Sequence, residues 1–144
     1  MSRVLASAPG KLFLSGEYAV LAGAPAIVTA VDRRARALAG APRGGPSPVI
    51  AAVREAVARH LGGADPDRLP PIRVTTAGFT RRRAKLGLGS SAAVAVAAAG
   101  ALFAAGGRDP VARRDELFAL ALEAHRRAQG GRGSGADVAA AAYG

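Results

Sequence analysis

A glycine- and serine-rich segment at residues 85–93 (KLGLGSSAA) contains the residue types that most directly indicate chemistry. Its two glycines let the backbone bend so that successive N–H groups point into one concavity. The small residues that follow let a helix start at once, with its unpaired N–H groups and positive dipole end at the same place. A neutral backbone holds the phosphates of a nucleotide in this way. We therefore predict nucleotide binding by Gly87, Leu88, Gly89, Ser90, Ser91 and Ala92.

The two serines of this phosphate loop add hydroxyl groups. Each hydroxyl can bond a phosphate oxygen or coordinate Mg²⁺, which prefers hard oxygen ligands. The loop is not a Walker A loop, since no Gly-Lys-Ser/Thr follows the glycines, and it is not a dinucleotide fingerprint. The structural alternative is an ordinary helix start, with Ser90 or Ser91 as the N-cap residue.

Two further segments support the chemical interpretation: residues 8–21 (APGKLFLSGEYAVL) and residues 133–139 (GSGADVA). With the phosphate loop between them, their order and spacing resemble the motifs of the GHMP kinases, the family of galactokinase, homoserine kinase, mevalonate kinase and phosphomevalonate kinase. The resemblance extends from position 8 to position 139. It implies an enzyme, a phosphotransferase that uses ATP and Mg²⁺ and acts on a small metabolite.

The resemblance also implies roles for single residues. Asp137 is the expected catalytic carboxylate, which would accept or steer the proton of the acceptor; the alternative is a first-turn residue that complements the helix dipole. Lys11 is expected beside it, offsetting charge at the acceptor or the γ-phosphate; the alternative is an exposed lysine at a strand end. Ser91 is the expected Mg²⁺ ligand. The other residues expected to contact or shape the substrate pocket are Glu17, Tyr18, Ser134 and Gly135, although Glu17 could equally bond neighbouring backbone.

Details of the three motifs resemble phosphomevalonate kinases most closely. They are GEYAVL at 16–21, the phosphate loop, and AHRRAQG at 124–130 ahead of the aspartate motif. This implies phosphoryl transfer to 5-phosphomevalonate, giving 5-diphosphomevalonate for isoprenoid precursor synthesis. The alternatives are mevalonate or another small alcohol as the acceptor, and a catalytically silent nucleotide-binding module.

One position departs from the mevalonate kinase pattern. Those enzymes place a metal-binding Glu on the helix before the aspartate motif, whereas this sequence has His125 at the aligned position, with Glu123 as the nearest acid. Phosphomevalonate kinases often have His there. The second Mg²⁺ ligand is therefore left open. Considered without the resemblance, His125 is interpreted as an ordinary surface histidine.

The formal charge of +10 arises from 20 Lys and Arg against 10 Asp and Glu. It favours phosphorylated ligands, or reflects a bias towards arginine in the composition. Nucleic acid is not favoured, because aromatic residues do not alternate with the basic ones. The run 81–83 could attract nucleotide or form a solvated surface. Three further arginines are candidates to bind a phosphorylated acceptor: Arg126, Arg127 and Arg132.

Disulfides and thiolate metal sites are excluded because the sequence has no cysteine. No apolar run reaches the roughly 20 residues of a membrane span, and the first residues lack the apolar core of a signal peptide. We therefore expect a cytoplasmic protein without a membrane partner.

Strands and helices alternate irregularly, which predicts an α+β fold with a mixed sheet, helices and an alanine-rich core. The resemblance makes residues 1–144 the N-terminal, ATP-binding domain of a two-domain fold, in a chain that looks truncated, with the C-terminal half expected as a partner that is possibly a separate chain. The predicted strands cover 3–7, 12–15, 26–39 and 72–76, with a turn at Pro9-Gly10. The predicted helices cover 48–61, 91–105, 109–129 and the segment from Ser134.

Overall fold

The computed structural model describes residues 2–63 and 65–144. Strand β1 (Val4–Ser15) pairs antiparallel with β2 (Ile27–Ala39), and β3 (Ile72–Thr75) pairs antiparallel with the other edge of β2. A separate two-stranded hairpin follows, formed by β4 (Thr80–Arg81) and β5 (Ala84–Lys85). The α+β class is confirmed. The described strand pairings are all antiparallel, however, so the sheet within the described residues is not mixed as expected.

Four helices pack with this sheet: α1 (Pro48–His60), α2 (Ser90–Ala105), α3 (Arg114–Ala128) and α4 (Ala136–Tyr143). Helix α2 occupies the centre, where it contacts β1 and β2 as well as the other three helices. Most of its residues are buried, and most of those are alanines, which let neighbouring backbones approach closely. The expected alanine-rich core is therefore confirmed. Its largest fully buried side chains are Phe103, Leu102, Val53, Val57 and Val138.

Strand β1 differs from the prediction of two short strands. It is continuous, and the register with β2 shifts between Pro9 and Gly10, where a turn was predicted. Pro9 has no N–H to donate, so an irregularity in the pairing accommodates it without ending the strand. A Cβ on Gly10 would lie 2.4 Å from the carbonyl oxygen of Leu88, so only glycine fits there. The irregularity thus brings the backbone of β1 against the phosphate loop.

Helix α3 begins later than predicted. Asp109 does not open it; instead, its carboxylate accepts hydrogen bonds from the N–H groups of Val111 and Ala112 in the preceding turn. The arginine run 81–83 lies on the exposed β4–β5 hairpin, which the sequence did not predict. Within the described residues, none of the helices combines the length and the apolar character that a membrane crossing requires.

Candidate active site

The phosphate loop leads directly into α2. Gly89 is the N-cap residue, with a left-handed backbone (φ 69°), and no side chain caps the helix. The first bond of the helix runs from the N–H of Ala93 to the carbonyl of Gly89 (3.1 Å). The preceding N–H groups, those of Ser90, Ser91 and Ala92, therefore have no acceptor within the helix and are available to an anion. The alternative of a serine N-cap is wrong, because Gly89 occupies that position.

Lys11 lies against this loop through both its backbone and its side chain. Its N–H donates to the carbonyl of Leu88 at 2.9 Å. A Cβ on Gly89 would lie 2.8 Å from Cγ of Lys11, so the lysine side chain runs directly over the glycine. Its ammonium group lies 4.9 Å from the centre of the Phe13 ring, within range of a cation–π interaction. Lys11 is thus fixed beside the helix start that is available to phosphate.

Asp137 lies in the first turn of α4, which also begins at a left-handed glycine, Gly135 (φ 84°). Here the N–H groups near the helix start have partners. Ser134 Oγ accepts from the N–H of Ala136 (3.2 Å), and Asp137 Oδ1 accepts from the N–H of Val138 (2.9 Å). The second contact holds one oxygen of the Asp137 carboxylate, and the other oxygen, Oδ2, lies 3.9 Å from Nε2 of His125.

His125 connects the two helix starts. It projects from α3 and is only 2% exposed, so its interpretation as a surface histidine is wrong. Its Nε2 lies 3.0 Å from Ser91 Oγ and 3.9 Å from Asp137 Oδ2. Gln129, the C-cap residue of α3, places its Nε2 3.5 Å from the same serine oxygen. Burial lowers the pKa of His125 below its ordinary value, and the nearby carboxylate of Asp137 acts in the opposite direction.

Ser91, His125 and Asp137 are called the phosphate-loop cluster below. Sequence reasoning selected Ser91 and Asp137 but did not find that the histidine joins them, and it did not consider Gln129. The available signal was the spacing of His125 and Gln129, four residues apart on one helix face and immediately before the aspartate motif.

Other predicted site residues lie apart from this cluster. The described residues include no ion pair between Lys11 and Asp137, whose charged groups are therefore not in direct contact. Glu17 and Tyr18 follow the end of β1 and are exposed, Tyr18 to 81%. Within the part of the chain that the structure describes, neither side chain bonds to the cluster.

The three candidate arginines differ in their surroundings. Arg126 Nη2 donates to the carbonyl of Ser134 (3.3 Å) and so supports the loop before α4. Arg127 pairs with Glu55 at 2.9 Å, on the side of α1. Arg132 is exposed in the loop between α3 and α4. Of the three, Arg126 is the one bonded to the aspartate motif.

A magnesium ion would find two oxygen donors of suitable chemistry here, the hydroxyl of Ser91 and the carboxylate of Asp137. No group of three or more His, Asp or Glu side chains that could hold a metal occurs among residues 2–63 and 65–144. Mg²⁺ commonly retains several waters and binds through one or two carboxylates together with substrate phosphates. The residues present therefore fit Mg²⁺ that arrives with a nucleotide, and not a cage made by the protein alone.

The sequence model described as GHMP kinases N terminal domain matches residues 48–144. This chain belongs to the GHMP kinase family. The match covers the phosphate loop, the helix that carries His125 and the aspartate motif, and it confirms the resemblance found in the sequence.

Three proteins similar to this GHMP kinase chain are named as mevalonate kinase or phosphomevalonate kinase. The mevalonate kinase of Aeropyrum pernix is 34% identical over 96% of the chain and 48% of its own length. Streptococcus pneumoniae phosphomevalonate kinase, solved in complex with phosphomevalonate and AMPPNP, is 26% identical with a TM-score of 0.71 over 99% of the chain and 47% of that protein. Mevalonate kinase from Staphylococcus aureus is also 26% identical, with a TM-score of 0.66 over 99% of the chain and 50% of that protein.

The chain therefore spans about half the length of these relatives. The names of these relatives support the general kinase class and the mevalonate pathway. Both mevalonate kinases and a phosphomevalonate kinase occur among them, so they favour neither mevalonate nor phosphomevalonate as the acceptor.

Proposed function

We propose that residues 1–144 form the nucleotide-binding N-terminal domain of an ATP- and Mg²⁺-dependent kinase that phosphorylates 5-phosphomevalonate to 5-diphosphomevalonate. The observation that carries this proposal is the phosphate-loop cluster. In it, a helix start with free N–H groups and a fixed carboxylate lie on either side of one buried histidine. ATP whose phosphates bind at the start of α2 would present its γ-phosphoryl group towards the carboxylate of Asp137.

The chain's own residues supply binding, orientation and charge. The N–H groups at the start of α2 and the hydroxyls of Ser90 and Ser91 bind the phosphates of ATP. Lys11, fixed against Gly89, offsets the negative charge that develops on the transferred group. When bound, Mg²⁺ would neutralise phosphate charge, and Asp137 is the carboxylate that would hold it together with the phosphates.

Asp137 orients the acceptor. In the proposed reaction, an oxygen of the acceptor's phosphate forms a new bond to the γ-phosphorus, and the bond between that phosphorus and the leaving ADP oxygen breaks. Any proton on the attacking oxygen passes to the carboxylate of Asp137. The hydrogen bond from the N–H of Val138 holds Oδ1 of Asp137, which leaves Oδ2 to accept the proton. Ser134 and Gly135 position that turn, and Glu17 and Tyr18 are proposed to border the acceptor pocket.

The choice of phosphomevalonate is supported by the histidine of the cluster, which stands where mevalonate kinases have a metal-binding acid. Mevalonate is the second candidate acceptor, because the relative from A. pernix, at 34% identity, is a mevalonate kinase. Both reactions would need the remainder of the two-domain fold, which we propose as the partner of this domain. A cytoplasmic location stays a prediction.

The test is steady-state ADP formation by the protein in its longest natural form, with ATP and Mg²⁺ and either phosphomevalonate or mevalonate. We expect turnover on phosphomevalonate that falls at least about 100-fold in Asp137→Asn, since an amide cannot accept the proton. Asp67→Asn is the matched control, because Asp67 is an exposed carboxylate on a distant surface turn, paired with Arg43.

Each result identifies a different function. Turnover on mevalonate alone would keep the kinase and change the acceptor. An equal loss of activity in both variants would contradict the role of Asp137. A folded protein that binds nucleotide and turns over neither acceptor would instead be a catalytically silent module.

A further inference from the structure

We propose that His125 is a positioning residue that fixes the direction of the Ser91 hydroxyl group, so that Ser91 donates a hydrogen bond to a nucleotide phosphate and does not serve as a Mg²⁺ ligand. This inference rests on the proposed nucleotide site, and it refines the role that the sequence alone suggested for Ser91. It concerns how the chain recognises phosphate and makes no assumption about the acceptor.

The geometry places two nitrogen atoms around one hydroxyl oxygen. His125 Nε2 lies 3.0 Å from Ser91 Oγ, and Gln129 Nε2 lies 3.5 Å from it. A serine hydroxyl has one hydrogen to donate and two lone pairs that accept. If both nitrogens donate, both lone pairs are used, and only the O–H remains for a ligand.

Asp137 decides which way the histidine contact runs. Its Oδ2 lies 3.9 Å from the same His125 Nε2. A carboxylate this close favours a hydrogen on Nε2 over a bare lone pair, because two negative lobes facing each other repel. That hydrogen is present in the imidazolium and in one of the two neutral tautomers, so the charged ring and the neutral ring can both donate from Nε2. His125 then donates to Ser91, and the serine hydrogen is directed elsewhere.

The start of α2 is where that hydrogen finds an acceptor. Ser91 lies in the first turn, beside the backbone N–H groups that no side chain caps. A phosphate bound to those groups brings oxygen atoms to the serine hydroxyl. Phosphate thus receives one more donor, and the cation is left to Asp137, the phosphates and water. A Ser91 that served as a metal ligand would need a free lone pair, and this geometry leaves none.

The test measures AMPPNP affinity by titration calorimetry, with Mg²⁺ and in metal-free buffer with EDTA, on the protein in its longest natural form. Ser91→Ala is expected to weaken binding roughly tenfold in both buffers, as loss of a hydrogen bond to a charged group does. A weakening confined to the Mg²⁺ buffer would show a cation ligand and overturn the inference.

A double-mutant cycle tests whether His125 acts through Ser91. We expect His125→Leu to weaken metal-free AMPPNP binding about threefold or more, and to have no further effect in the Ser91→Ala background. His125→Gln, whose amide can still donate near the position of Nε2, is expected to remain within about threefold of wild type. Equal losses from His125→Leu in both backgrounds, or a glutamine variant as weak as the leucine variant, would contradict a positioning role.

His60→Gln is the matched control, since His60 lies at the end of α1, paired with Glu116, away from the cluster. Thermal unfolding of every variant identifies those that do not fold. If His125→Leu is one of them, the comparison of Ser91→Ala in the two buffers still decides between donor and ligand. Normal binding without turnover would reject the proposed kinase reaction and leave this inference intact, whereas no AMPPNP binding by the wild type would overturn both.

Discussion

Helices α2 and α4 begin in the same way but differ in whether side chains bond the N–H groups at their starts. Each helix follows a left-handed glycine, Gly89 with φ 69° and Gly135 with φ 84°, and neither glycine provides a capping side chain. Both glycines are also enclosed. A Cβ would lie 2.8 Å from the Lys11 side chain at the first and 2.7 Å from Leu122 at the second.

They differ in what bonds to the free N–H groups. At α4, Ser134 and Asp137 accept hydrogen bonds from the N–H groups of Ala136 and Val138, so the chain's own oxygens occupy the positive helix end. At α2, the described residues provide no such side-chain cap, and the positive end stays open. A glycine-led helix start is therefore open to an external anion only where the chain's own side chains do not bond its N–H groups. The same feature at α4 holds a carboxylate in place.

The largest expected effect comes from adding a methyl group at each glycine. Gly89→Ala forces a side chain into a left-handed backbone and against Lys11, so we expect AMPPNP affinity to fall at least about tenfold, with a loss of roughly 1–3 kcal/mol in the free energy of unfolding. Gly135→Ala should cost similar stability and change affinity less than about threefold, because the proposed site for the nucleotide phosphates is the start of α2 and not that of α4. Calorimetric titration and urea unfolding measure the two quantities.

Gly87→Ala is the control for backbone strain alone. Gly87 has φ 70°, yet a Cβ there would meet no heavy atom within 4 Å. The difference between the variants at 87 and 89 therefore isolates the Lys11 contact. Equal losses of affinity at 89 and 135 would remove the distinction between an open and an occupied helix start.

A smaller, reciprocal effect is expected from removing one hydroxyl at each helix. Ser134→Ala deprives the N–H of Ala136 of its acceptor and should lower the free energy of unfolding by about 1 kcal/mol, with AMPPNP affinity unchanged. Ser90→Ala removes no cap, and alanine favours a helix, so its stability should be equal or slightly higher while AMPPNP affinity falls. A loss of AMPPNP affinity in Ser134→Ala together with a loss of stability in Ser90→Ala would contradict the difference between the two helix starts.

The smallest effect concerns pH and the histidine between the two helices. The folded pKa of His125 is lowered by burial, with the Asp137 carboxylate opposing the shift; Ser91 and Gln129, the other groups that face the ring, carry no charge. As the pH falls below the ordinary histidine pKa of 6.5, the unfolded chain takes up a proton before the folded protein does. Stability should therefore be fully present above that value and decline towards the lower folded pKa.

Unfolding in urea at a series of pH values from about 5 to about 8 measures this decline. His125→Gln has no titrating group at the position, so subtracting its profile removes the contributions of other residues. A wild-type profile that matches that of the variant would show that burial of the ring does not affect its protonation.

Much of the fold could be predicted from short stretches of the sequence. The glycines at 87, 89 and 135 mark backbone that must turn left-handed, and the alternation and spacing of apolar residues predicted β2, β3, α1 and α2 nearly to their ends. The continuous β1 and the late start of α3 were missed. In both cases a proline suggested a local break or start. Strand β1 continues past Pro9 because its pairing with β2 absorbs the irregularity, whereas Asp109 caps a turn around Pro110 that precedes the helix.

The sequence by itself determined the family and the two segments that carry Ser91 and Asp137, because each motif is contiguous and its backbone geometry follows from its own residues. Tertiary structure alone decided that His125 belongs with them. That histidine is 34 residues from Ser91, on a third helix, and its hydrogen bond exists because α2, α3 and α4 pack closely enough to exclude water from the ring. Burial and hydrogen-bond direction are properties of such packing, and no single segment encodes them.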